Sequence, residues 1–142
     1  MYRMIRRQLE KHPLPQLLTK EMQFEREFAG AGGTLLAGND PTGDGGTVAG
    51  YGDQREIELL VQAGFTPEEA IHISTANGAK FLGQASRIGT IAVGKQADLL
   101  VVRGDPARDI SDIRKVELVF RKGIGYSSAK LFGAVRGLVG VE

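Results

Sequence analysis

Apolar residues recur along residues 14–30 at helical spacing: Leu14, Leu17 and Leu18, then Phe24 and Phe28 four apart. Pro15 suits a first turn, and Gly30 with Gly32-Gly33 supplies a stop. The pattern predicts a helix. Thr34-Leu-Leu-Ala37 follows as a short apolar run, the signature of a strand buried on both faces, and it ends at Gly38-Asn39-Asp40-Pro41. Residues 41–52 carry glycine at 43, 45, 46, 50 and 52 with no periodicity, which predicts a functional or mobile loop. Two helix starts come next. Asp53 with Glu56 has the spacing of a capping box, and Thr66-Pro67-Glu68-Glu69 is a stronger one, with Pro at the first helical position. Gly64 and Gly83 close the respective helices.

Beyond residue 84 the pattern changes to β-rich runs: Ile88 to Gly94, Ala97 to Val102 and Val116 to Arg121. Leu99 to Val102 predicts a fully buried strand. Val116, Leu118 and Phe120 against Glu117 and Arg121 predict a half-buried antiparallel one. Lys122-Gly123 is a turn, and Leu131, Val135 and Leu138 predict a last short helix. The chain is thus helical before about residue 83 and β-rich after it. One strand among helices cannot form a sheet alone. The pieces call for strand partners from elsewhere.

Composition narrows the chemistry. The 142 residues are 42% hydrophobic and 25% charged, within the range of one globular domain. Lys and Arg number 18 against 17 Asp and Glu, so there is no basic excess for nucleic acid. No run approaches the ~18 apolar residues of a membrane span. The basic start, Met1 to Arg7, is not followed by an apolar signal core. With no cysteine, disulfides, thiolate nucleophiles and cysteine metal sites are excluded, and the expected compartment is the cytoplasm. His12 and His72 lie too far apart in sequence for a local multi-histidine site.

Several motifs dissolve on inspection. Gly89 to Gln96 nearly matches a phosphate-binding loop, but Gln96 stands where a hydroxyl is required and a strand follows instead of a helix. The glycines at 43, 45 and 46 do not spell a dinucleotide fingerprint, and Asp40, Asp44 and Asp53 fail the spacing of a calcium loop. Asp53 reads as a helix cap, Asp44 as a turn residue and His72 as a surface or packed histidine. Asp40 stands apart. A carboxylate at the exit of a buried strand can bind a metal and take a proton from water; the alternative is an Asx-type turn before Pro41.

These residues resemble a known family. Leu35-Leu-Ala-Gly-Asn-Asp40 is similar to the last-strand segment of metal-dependent amidohydrolases, in their imidazolonepropionase-like and prolidase-like branch. Arg55 to Ala70, Thr75 to Gly83, Ile88 to Leu100 with Asp105-Pro106, and Gly123 to Tyr126 with Ala129 to Leu131 agree with it. The resemblance implies an α/β fold: the last part of a (β/α)8 TIM-like barrel, then the C-terminal strands of a small β-sandwich. Residues 1–83 would be the barrel piece (last strand about 34–38, loop 39–52, helices 53–83), 84–123 the sandwich strands and 124–142 a helical tail.

It further implies one or two divalent metals, usually Zn2+, with Asp40 as metal ligand and general base, and a small amide-type substrate. The family's HxH motif, bridging lysine and later metal histidines have no counterpart here, and His12 and His72 do not match them. The expected protein is therefore the C-terminal portion of a hydrolase of carbon–nitrogen bonds, silent alone and completed by another chain or by self-association. A non-enzymatic assembly module is the alternative.

Overall fold

The computed structural model describes residues 14–39 and 50–137. Helix α1 spans Leu14–Gly30, as its apolar spacing predicts. It stops because Gly32 turns left-handed at φ +89 and the Gly33 amide donates back to the Phe28 carbonyl. Gly33 is required for room as well: a Cβ there would lie 2.4 Å from the Phe28 ring. Residues 34–39 then run extended, with no strand partner among the described residues.

Helix α2 covers Tyr51–Gln62. Its N-cap is Gly50, at φ +78, so the helix starts earlier than Asp53. Asp53 is not the cap; it lies exposed in the first turn, where its charge complements the helix N-terminus. Gly50 reaches a cap conformation closed to other residues, which is why the chain turns there. Gly64, at φ +100, ends α2, and the Phe65 amide donates to the Leu60 carbonyl.

Helix α3, Pro67–His72, has the predicted capping box: the Glu69 amide donates to Thr66 Oγ1 at 3.2 Å and the Thr66 amide to Glu69 Oε2 at 2.8 Å. A π-helical turn, Ile73–Asn77, joins it to α4, Gly78–Phe81, and Gly83 closes the run. Leu60, Phe65, Ala70 and Ile73 form the core of this half, and Leu35 and Ala37 pack on it from the extended segment.

Residues 88–94, expected to be β-rich, form turns instead. Gly89 and Gly94 both have positive φ, and the Gln96 amide closes the excursion onto the Arg87 carbonyl. Three strands follow: β1 (Leu99–Val102), β2 (Val116–Arg121) and β3 (Ile124–Ser127), antiparallel in the order β1-β2-β3. Leu99 faces Phe120 and Leu118 faces Ser127, with an irregularity between Val101 and Val102. The β2–β3 hairpin turns through Lys122 and Gly123 at φ 51 and 82, the paired positive angles of a two-residue hairpin.

β3 occupies residues expected to open the helical tail; helix α5 is Ser128–Ala134. β1 is not buried as expected. Leu100 is 58% exposed, because no second layer covers that face among the described residues. Leu118, expected to point inward, is exposed as well, while Val116 and Phe120 are half-buried.

Candidate functional site

The site is organised around the extended segment that leaves α1. Leu35 and Ala37 face the core, so Thr34, Leu36 and Gly38 alternate outward, and Asn39 is half-buried at the far end. The Leu35 carbonyl accepts a hydrogen bond from Asn77 Nδ2 at 2.9 Å, between residues 42 apart in sequence. Asp40, the candidate general base and metal ligand, follows Asn39 in the chain and lies outside the described residues, as do Asp44 and His12. The Gly-rich loop is described only from Gly50 onward.

Its downstream end is tied to the sheet half by one charged cluster. Arg114, on the 3-10 turn Ile110–Arg114 between β1 and β2, reaches across to α2. Its Nη2 donates to Glu58 Oε2 at 2.7 Å, its Nε to Glu58 Oε1 and its Nη1 to the Tyr51 hydroxyl. The guanidinium also lies 4.6 Å from the centre of the Tyr51 ring. Arg55 Nη1 adds a 2.9 Å bond to Glu58 Oε2.

Glu58 is only 8% exposed, and burial alone would push its carboxyl up. The bonds from Arg114, and then Arg55, outweigh burial and hold it below the usual carboxylate range; Arg114 is shifted upward in return, chiefly by Glu58. The cluster is structural, because every oxygen of the carboxylate is occupied by a cation.

Two further carboxylates organise loops of the sheet half. Asp112 Oδ2 accepts from the Asp105 amide at 2.8 Å, and its other oxygen pairs with Lys115 at 2.5 Å. Asp98 accepts from the Lys122 amide, Gln96 and Arg121, stapling the hairpin turn to the start of β1. Both sit below the ordinary carboxylate range, Asp98 chiefly through the Lys122 amide and Asp112 chiefly through Lys115.

The remaining sequence candidates are accounted for. His72 is exposed at the end of α3. Lys95, the lysine of the phosphate-loop look-alike, is committed to the Ala85 carbonyl at 2.7 Å and to Thr90 Oγ1. Among the described residues no three His, Cys, Asp or Glu side chains gather as a cation site. The described residues by themselves therefore do not assemble the roughly four ligands, commonly imidazoles, of a zinc centre. Asn77 and the Glu58–Arg114 pair were not singled out from sequence. The mid-helix run Ser74-Thr75 before Asn77-Gly78 was the available signal for the first; nothing local announced the second.

An extended segment packed on helices, followed by a three-stranded antiparallel sheet clamped to the next helix, gives the described residues a mixed α/β architecture. The family model described as the amidohydrolase family matches residues 37–124, and the chain belongs to that family. An imidazolonepropionase of Parabacteroides distasonis is 53% identical over 38 residues, covering 27% of this chain and 9% of that protein. An S-triazine hydrolase of Gordonia rubripertincta is 28% identical over 96 residues, covering 60% and 20%. A solved structure assigned as a prolidase, from Bifidobacterium longum, superposes with a TM-score of 0.63 at 35% identity, over 79% of this chain and 29% of that one. The chain thus spans less than a third of the length of each of these relatives.

Among the described residues, no helix is long and apolar enough to cross a membrane.

Proposed function

We propose that this chain is the C-terminal portion of a metal-dependent hydrolase acting on carbon–nitrogen bonds of small amide, cyclic-amide or dipeptide-like substrates. The observation that carries it is the lone extended segment, 34–39: it is backed by helices on one side and followed by Asp40 at its carboxyl end, within a family match that begins at residue 37. In α/β folds that end is where function sits.

On this reading residues 1–83 complete a TIM-like barrel, 84–123 contribute to a β-sandwich, and 124–142 form the tail. Asp40 takes the proton from the attacking water and passes it to the leaving nitrogen, and the loop to Gly50 lines the pocket mouth. A divalent metal, zinc by preference, would draw its nitrogen donors from outside this chain, since the donors described here do not assemble. The exposed apolar side chains support the same reading. Phe24, Phe81, Phe132, Ile91 and Leu100 all stand in solvent and would be covered by a complementing chain or a second copy. The isolated chain is then silent, and the cytoplasm is its proposed compartment.

Native mass spectrometry of the purified chain tests this directly by reading assembly mass and bound metal together. A larger, zinc-bearing complex that hydrolyses amides supports it. A metal-free species that stays inactive when supplied with the N-terminal two-thirds of a relative refutes it and favours the non-enzymatic assembly module. In the active assembly Asp40→Asn abolishes turnover with the fold intact; near-normal turnover sinks the assignment.

A further inference from the structure

Helix α3 would be expected to run straight through to Phe81, yet it widens into a π turn at Ile73–Asn77. The cause is local. Ser74 Oγ donates to the Ala70 carbonyl at 2.8 Å and Thr75 Oγ1 to the Ile71 carbonyl at 2.6 Å, so two hydroxyls compete for the acceptors that the next turn of amides would use. Ser, Thr, Asn and Gly are also weak helix formers, and they sit here in near-succession. A π turn carries an extra residue and re-aims the side chains after it; such turns frequently mark functional positions.

The re-aimed side chain is Asn77, whose Nδ2 donates to the Leu35 carbonyl. Among the described residues, this is the only hydrogen bond to the backbone of residues 34–39. The turn is also backed from behind. Gly89, at φ +91, lies so close that a Cβ would sit 2.4 Å from the Ala79 Cβ and 3.2 Å from the Thr75 carbonyl oxygen. The glycine of the phosphate-loop look-alike is therefore explained by close approach, and Lys95 holds that loop shut.

We propose that Asn77 is a positioning residue: through the Leu35 carbonyl it sets the direction in which the extended segment delivers Asn39 at its far end. The catalytic consequence rests on the hydrolase reading above; the structural one does not. Asn77 touches no substrate in this role and acts only through the backbone it holds.

The test has two arms. In the wild-type chain, NMR coupling between the Asn77 side-chain nitrogen and the Leu35 carbonyl carbon detects the bond itself; its absence overturns the proposal without any variant. Backbone order of residues 34–39 is then compared in Asn77→Leu and Asn77→Asp. Asn77→Leu loses the order at every pH. Asn77→Asp loses it at pH 7, where a carboxylate can only accept, and regains it below about pH 4, where the acid can donate. A space-filling role would show no such recovery, so pH-independent order in Asn77→Asp overturns the proposal.

In the active assembly both variants lower kcat by about 10²-fold at neutral pH with KM unchanged, the usual cost of ~1 Å misplacement of reacting groups. Unchanged kcat alongside lost order overturns the catalytic consequence. Failure of Asp40→Asn to affect turnover would instead refute the hydrolase reading and leave the NMR arm standing.

Discussion

Leu60→Ala probes the packing that holds the extended segment. Leu60 is 6% exposed and sits with Phe65, Ala70 and Ile73 in the cluster against which Leu35 and Ala37 lie. Truncating a buried leucine to alanine costs about 2–5 kcal/mol, the spread reflecting how far neighbours collapse into the cavity. Much of the surrounding shell, Ile57, Val61, Leu35 and Ala37, is only partly buried and anchored on one side, so it can relax inward. That places the cost near the lower middle of the range, at about 3 kcal/mol. With an unfolding entropy of about 2.1 cal/mol/K per residue, the melting midpoint falls by about 10 °C.

Phe81→Ala is the internal control. The side chain is larger but 74% exposed, so its loss costs under about 0.5 kcal/mol in this chain. Urea and thermal unfolding followed by circular dichroism measure both. A Leu60→Ala cost below ~1 kcal/mol, or one no greater than that of Phe81→Ala, would refute the account of what holds the segment in place.

Two further outcomes concern pH. The Glu56 carboxyl is raised, first by burial and then by Glu25 and Asp53, so its charged form opposes folding. Glu56→Gln therefore stabilises the chain at pH 7, and the gain disappears below the ordinary carboxylate value of about 4.3, as melts across the range will show. Glu58 behaves in the opposite way: its depressed value means its contribution is present above the ordinary carboxylate range and is lost as pH falls through the depressed one. Arg114→Met consequently lowers the melting point at pH 7, and the difference from wild type shrinks in strong acid; a gap that ignores acidification contradicts the assigned pairing.

Local chemistry was readable from the sequence where one stretch contains both partners. Thr66 and Glu69 are three apart, and their capping box forms as written. The helix-ending glycines Gly64 and Gly83 are equally local. Asp53 misled because its match to the capping pattern competes with Gly50, whose left-handed turn starts the helix earlier, and a pattern of residue types does not reveal φ. Ile91 and Val93 misled differently. They favour strands, yet both are exposed on turns, since propensity names a conformation without supplying a neighbour to pair with.

β3 escaped notice because Ile124-Gly-Tyr-Ser127 is short and glycine-broken; its strand character comes from β2 alongside. The Asn77–Leu35 and Arg114–Glu58 contacts span 42 and 56 residues, beyond any local window. Asp40 is a candidate through its place after the apolar run and through family resemblance alone, and it lies outside the described residues.

The open edges of residues 34–39 have a consequence for handling and biogenesis. Leu35-Leu-Ala37 is apolar, uncharged and free of proline, and its amides have no partners among the described residues. Such a stretch is a template for intermolecular β-pairing, a colloidal hazard that grows with concentration and not with loss of fold. Solubility would then be limited while the helices remain intact, and precipitation would precede unfolding. Placing a lysine at Leu36, which already faces solvent, would act as a gatekeeper without disturbing the packed face.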